Sequence, residues 1–188
     1  MTDDVDPVPE DLLEGVSDRL EGEEVTLAEN EAILHAVSEL TPVFEHERSY
    51  FVLGSYDRKP IRRLALVTDR LNRRADAYAF RMVDVRGDWE NGIHKFRLIA
   101  DLVGIVVGVA EREPSGFLVE QGLLVGDGAH FEKTYVLKRE YEDTESEDSD
   151  ASGFDWMQRS VFALLEREER LFRWRTEADL AEVVEKVP

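Results

Sequence analysis

The chain has 188 residues, no Cys and a formal net charge of −19, which excludes a disulfide scaffold, a thiol nucleophile and a Cys-ligated zinc or iron–sulfur centre. So large an acid excess argues against general binding to nucleic acid or to anionic lipid. Hydrophobic residues make up 43% of the sequence, enough for a real core. The opening MTDDVDP lacks a basic-plus-apolar leader and no apolar run is long enough to span a bilayer, so a soluble cytoplasmic protein without membrane contact is expected.

Two short helices are expected first. Leu12, Leu13, Val16 and Leu20 recur at helical spacing. Thr26 and Glu29 form a capping box ahead of Ile33, Leu34, Val37 and Leu40, and Thr41-Pro42 is expected to end that helix. Residues 1–47 thus read as an N-terminal helical extension and residues 48–188 as the main domain. The extension is read as packing, with a lid or a dimer arm, and hence a homo-oligomer, as the alternatives.

From Ser49 the grammar changes. SYFVLGSY is a buried strand followed by a turn. Pro60 suits the first position of a helix striped by Ile61, Leu64, Val67 and Leu71, with Arg62, Arg63, Arg70, Arg73 and Arg74 off the stripe. DAYAFRMVDV is a second strand ending near Asp84, and Ile93, Phe96, Ile99 and Leu102 mark the next helix. VGIVVGVA is a third strand with no polar residue. GFLVEQGLLVG follows as a short helix and KTYVLKRE as a fourth strand. EYEDTESEDSD holds seven acids in eleven residues, so 140–153 is expected to be a solvated acidic loop. Phe154, Met157, Val161, Leu164 and Leu165 mark a helix, RLFRWR a last strand, and Thr176 with Asp179 caps a closing helix.

Apolar strands alternating with amphipathic helices predict an α/β fold. The expected architecture is a mostly parallel, five-stranded, doubly wound sheet of flavodoxin-like or Rossmann-like type. In such sheets ligands collect beyond the carboxyl ends of the strands. That rule gathers Gly54, Ser55, Tyr56, Asp57 and Arg58 after the first strand. Asp84, Asp88 and Trp89 follow the second, and Glu111, Glu113, Ser115, Gly116 and Glu120 the third.

The pattern Gly116-x-x-x-Glu120-x-Gly122, just after a buried third strand, resembles the glycine-to-glutamate segment of nucleoside 2-deoxyribosyltransferases and, more loosely, of TIR-type NAD-cleaving domains. The GSY turn after the first strand is compatible with their base- and sugar-binding loop. Phe117 and Pro114 stand where the transferases carry a small hydroxyl residue and an aspartate. The resemblance implies a flavodoxin-like fold and a carboxylate, Glu120, acting at the anomeric carbon of a ribosyl or deoxyribosyl group. Asp84 would then hold sugar hydroxyls, Tyr56 or Trp89 would stack on the base, and Arg58 would meet a phosphate. Gly54, Ser55, Ser115 and Gly116 would complete the binding loops.

Each residue has a plainer alternative. A Glu in a first helical turn is favoured by the helix dipole without any substrate. Asp84 can simply end a strand, Tyr56 and Trp89 can be packing residues, and Gly54 and Gly116 can serve turns. The expected function is binding of a nucleoside or nucleotide, with cleavage or transfer at its N-glycosidic bond. The alternative is a non-catalytic interaction or ligand-sensing module. In that case the eleven cations between Arg58 and Arg97, against five acids, would dock an acidic partner. The plainer reading of that island is internal ion pairing. No metal or cofactor is expected: His35, His46, His94 and His130 lack paired helical spacing, and no P-loop or G-x-G-x-x-G is present. Acid excess with only five Lys among 23 cationic residues resembles proteins of extreme halophiles.

Overall fold

Five strands pair edge to edge: β1 (Arg48–Leu53), β2 (Ala77–Arg81), β3 (Ile105–Ala110), β4 (Thr134–Arg139) and β5 (Leu171–Trp174). Their order is β2-β1-β3-β4-β5 and every pairing is parallel. The computed structural model describes residues 35, 38–57, 60–86, 92–112, 117–141, 154 and 156–188, with the side chains of 117–119 excepted. The two helices expected before Leu40, and residues 142–153 of the acidic loop, lie almost wholly outside them.

The helices are α1 (Thr41–Glu45), α2 (Pro60–Leu71), α3 (Gly92–Leu102), α4 (Phe117–Gly126), α5 (Gly128–Glu132), α6 (Trp156–Arg167) and α7 (Glu177–Val183). Period-two alternation along each strand sends its side chains to two cores. Phe51, Leu53, Phe80, Val106 and Val136 face Phe96 and Ile99 of α3, Leu124 of α4, and Phe162 and Leu165 of α6. Tyr50, Val52, Ala79, Val107, Leu137 and Trp174 face Leu64, Val67 and Leu71 of α2 and Leu180 and Val183 of α7. Helices thus cover both faces, and the doubly wound α/β sheet expected from the sequence is the fold.

Three local differences from expectation have clear causes. The helical residues before Leu40 give way to a turn there, as expected, but Thr41-Pro42 then opens a further short helix, where Pro near the first helical position needs no amide partner. Leu40 and Val43 of this segment are buried in the same core as the sheet. The second strand stops at Arg81, where Met82–Asp84 form a 3-10 turn. A further short helix, α5, follows α4, capped by Asp127, whose carboxylate accepts from the Ala129 and His130 amides. The closing helix has the expected capping box of Thr176 and Asp179.

The edge strand β2 is tied down by one side chain. Asn72, just past α2, donates to the Ala79 carbonyl at 2.8 Å and accepts from its amide at 2.7 Å. Both hydrogen-bonding groups of one edge residue are thereby satisfied. No helix among the described residues is long and apolar enough to cross a membrane.

Candidate functional site

In the order β2-β1-β3-β4-β5, the chain leaves β1 for one side of the sheet and then crosses to the other. The switch point therefore lies at the carboxyl ends of β1 and β3. Glu111 is the first residue past β3, and it is buried. Arg63, in the first turn of α2, grips it with two bonds: Nε donates to Oε2 at 2.8 Å and Nη2 lies 2.8 Å from Oε1. Arg139, the last residue of β4, donates from Nη1 to Oε1 at 2.9 Å. Both guanidiniums lie over the Trp174 ring, at 5.9 and 5.1 Å. Arg63, which helical spacing sets off the apolar stripe, is therefore inside the protein. With both oxygens engaged, Glu111 is a structural anchor and offers a ligand little.

The loop after β1 divides into structural and available groups. A Cβ at Gly54 would stand 2.6 Å from Leu64 Cδ2 and 3.1 Å from the Val109 carbonyl oxygen. Glycine is needed there so that α2 and β3 can close on the loop; this is packing, not approach to a ligand. Ser55 is buried, and its Oγ donates to Asp57 Oδ2 at 3.1 Å and accepts from the Asp57 amide at 3.4 Å. Tyr56 reaches across to the end of β2, where its phenol oxygen accepts from the Met82 amide at 3.2 Å. Burial pushes this phenol above its ordinary value, and the charges of Glu120 and Asp84 push in the same direction. The hydroxyl is thus held neutral, and with its oxygen already accepting, its proton remains to be donated.

Asp84 is engaged locally. Its carboxylate accepts from the Arg81 amide at 2.8 Å, Arg81 Nε at 2.9 Å and Arg81 Nη2 at 2.7 Å. Burial acts to raise its pKa, but the Arg81 hydrogen bonds and charge outweigh it and hold the carboxyl below its usual range. It closes the 3-10 turn, the plainer of its two sequence readings.

Glu120 stands in the first turn of α4. Burial pushes its carboxyl up to about 7, in spite of a helix terminus that favours the anion. Its Oε2 is buried without a hydrogen-bond partner, and so are Nε2 and Oε1 of the adjacent Gln121, which is 5% exposed. Buried polar atoms left unpaired are rare in native folds, and each calls for a reason such as a ligand or an ordered water. Here three occur on consecutive residues beside the switch point. Gln121 escapes sequence reasoning because a glutamine in a short helix carries no motif. Arg58, Trp89, Ser115 and Gly116 lie outside the described residues.

A second polar cluster lies at the opposite, amino end of β4. Buried His130 holds Asp101 Oδ1 with Nε2 at 2.7 Å and approaches Asp127 Oδ2 with Nδ1 at 3.6 Å. A cavity of about 320 Å³, lined also by Arg97 and Gly122, opens beside it. Through its contacts with Asp101 and Asp127, this imidazole acts as a clamp between α3 and α5. Among the described residues no group of three or more His, Asp or Glu is arranged to hold a metal ion. Five cations of the basic island form ion pairs within the chain: Arg63 with Glu111 and Glu177, Arg70 and Arg74 with Glu185, Arg81 with Asp84, and Arg86 with Glu39.

Two outcomes are expected. Glu111→Gln leaves two largely buried guanidiniums short of a counter-charge and lowers unfolding stability by about 3 kcal/mol, read from the urea midpoint. Glu120 makes stability depend on pH. Its folded pKa of about 7 lies above its ordinary 4.5, so the folded state keeps a proton that the unfolded state releases. That contribution is full below pH 4.5 and is lost as pH rises to about 7, with a slope of at most about 1.4 kcal/mol per pH unit. The stability difference between wild type and Glu120→Gln should follow this slope; a difference flat with pH would mean that Glu120 titrates as an exposed acid.

No curated protein matches the chain. Residues 2–149, most of its length, match a family described only as a family of unknown function, and the chain belongs to that family, DUF8170.

Proposed function

We propose that the protein binds a nucleoside or nucleotide at the carboxyl edge between β1 and β3 and cleaves its N-glycosidic bond, with Glu120 facing the sugar. The observation that carries this reading is the buried, unpartnered Oε2 of Glu120 at the first turn of α4, within electrostatic reach of the Tyr56 phenol. Breaking the bond between the sugar carbon and the base nitrogen leaves the electron pair on the base and positive charge on the carbon. A carboxylate beside that carbon stabilises the charge or bonds to it, and water then supplies the hydroxyl while the departing nitrogen takes a proton. Tyr56, neutral and with its proton available, suits donation to the base or to a sugar hydroxyl. The Gln121 amide suits the remaining sugar hydroxyls, replacing Asp84 in that role.

The ion pairs that five cations of the basic island form within the chain favour this reading over a docking module for an acidic partner. The acidic composition supports testing in concentrated KCl, where surface carboxylates repel each other less.

The test is incubation of the full chain with nucleosides, nucleotides and NAD in low and multimolar KCl, with chromatography for released base. Glu120→Gln should fold normally and lose at least about 100-fold in turnover. Because Glu120 must be charged to act, the wild-type rate should rise with pH through about 7. Base release that persists in Glu120→Gln, or none from any substrate at either salt, would refute the reading.

A further inference from the structure

The two edges of the sheet differ. Along a strand, successive residues turn their backbone groups to opposite sides. At the β2 edge, the Arg48 amide donates to the Asp76 carbonyl, so Ala77, Ala79 and Arg81 face outward. Asn72 occupies both groups of Ala79, and the Asp84 carboxylate accepts from the Arg81 amide. The chain's own side chains thus block that edge against a further strand.

The β5 edge is open. The Val136 amide donates to the Arg170 carbonyl and the Glu140 amide to the Trp174 carbonyl, so Leu171 and Arg173 turn their amides and carbonyls away from β4. Among the described residues these outward groups have no partner. The next outward amide, that of Arg175, donates to Asp179 at 3.1 Å. The open stretch is therefore Leu171 and Arg173, with Phe172 at its centre. Phe172 is half-buried, and its ring stacks on Tyr135 at 6.4 Å with the planes 8° apart. Both rings sit on the face covered by α2 and α7.

We infer that a second copy of this chain pairs with this edge, β5 against β5 and antiparallel, about a two-fold axis at Phe172. Leu171 of each copy then exchanges amide and carbonyl bonds with Arg173 of the other, and every open group is satisfied. Phe172 meets its own counterpart in a non-hydrogen-bonded pair, with Cα atoms about 4.5 Å apart. The stack on Tyr135 is thereby extended across the axis, an aromatic cross-strand contact. On the opposite face each Arg173 stands across from Leu171, and its charge is already held by Glu140 and Glu166 at 2.7 Å, so like charges do not oppose one another. Such reciprocity is what a two-fold interface requires of a single patch. The net charge of −19 opposes self-association in dilute salt, and concentrated salt screens it. The inference is independent of the nucleoside reading.

The test is light scattering of the full chain in low and multimolar KCl, with amide hydrogen exchange at Leu171 and Arg173 followed on dilution. In multimolar KCl the particle should have twice the chain mass. Both amides should be protected there and should exchange at least tenfold faster once dilution separates the copies. Arg173→Pro removes an outward amide that β4 does not use, which an edge strand tolerates, and should give a folded monomer. Phe172→Glu sets like charges against each other at the axis and should also be monomeric. A wild-type monomer in both salts overturns the inference, as does a dimer that persists in either folded variant. So does protection of both amides that dilution leaves unchanged, which would mean that the chain covers its own edge.

Discussion

The carboxyl edge of this sheet is organised around one buried anion. Glu111, the first residue past β3, draws Arg63 from α2 and Arg139 from β4 onto its two oxygens. That contact ties a helix on one face to two neighbouring strands at the height where the loops diverge. A buried ion pair is weak support for net stability, because desolvation offsets much of the attraction. Its effect here is positional: two guanidiniums are fixed over Trp174, and Trp174 donates from Nε1 to the Leu137 carbonyl at 3.0 Å. The loop carrying Tyr56 is pressed into place by α2 through Gly54 and Leu64.

Two carboxylates nine residues apart illustrate how environment divides roles. Glu111 is buried and fully paired, whereas Glu120 is largely buried with one oxygen unpaired. An anion that is desolvated and not compensated stays protonated to a higher pH, which is the state of Glu120. Such a mismatch has an energetic cost in the folded protein and is more often found at functional sites than in structural cores. The Tyr56 phenol is pushed up alongside it, so the rim holds an uncompensated acid and a neutral donor.

The layers of the fold were legible in the sequence because burial imposes period two on strands and a stripe on helices. SYFVL and GIVVGVA could be little other than covered parallel strands, and Thr176 with Asp179 marked its helix through a local hydrogen bond. The pairings that shape the rim were not legible in the same way. Arg63 and Glu111 lie 48 positions apart, and nothing local distinguishes Arg63 from its exposed neighbour Arg62. Asp84 looked available because its partner, Arg81, was assigned to a continuing strand. Gly54 looked like a ligand-facing glycine because packing by Leu64 and Val109 emerges only once helix and sheet are assembled. Glu120 was reached through a glycine pattern, and its burial, which gives it chemical interest, is a property of the assembled sheet.

Glu120 is a largely buried carboxylate with one unpartnered oxygen beside the switch point, and the proposed function turns it toward a sugar. That claim is tested most directly by carbon-detected NMR of the Glu120 side-chain carboxyl across pH, alone and in the presence of added nucleosides. The account requires a midpoint near 7 in the free protein and a displaced midpoint when a nucleoside is present. A carboxyl that titrates at its ordinary 4.5 and ignores every nucleoside would contradict it.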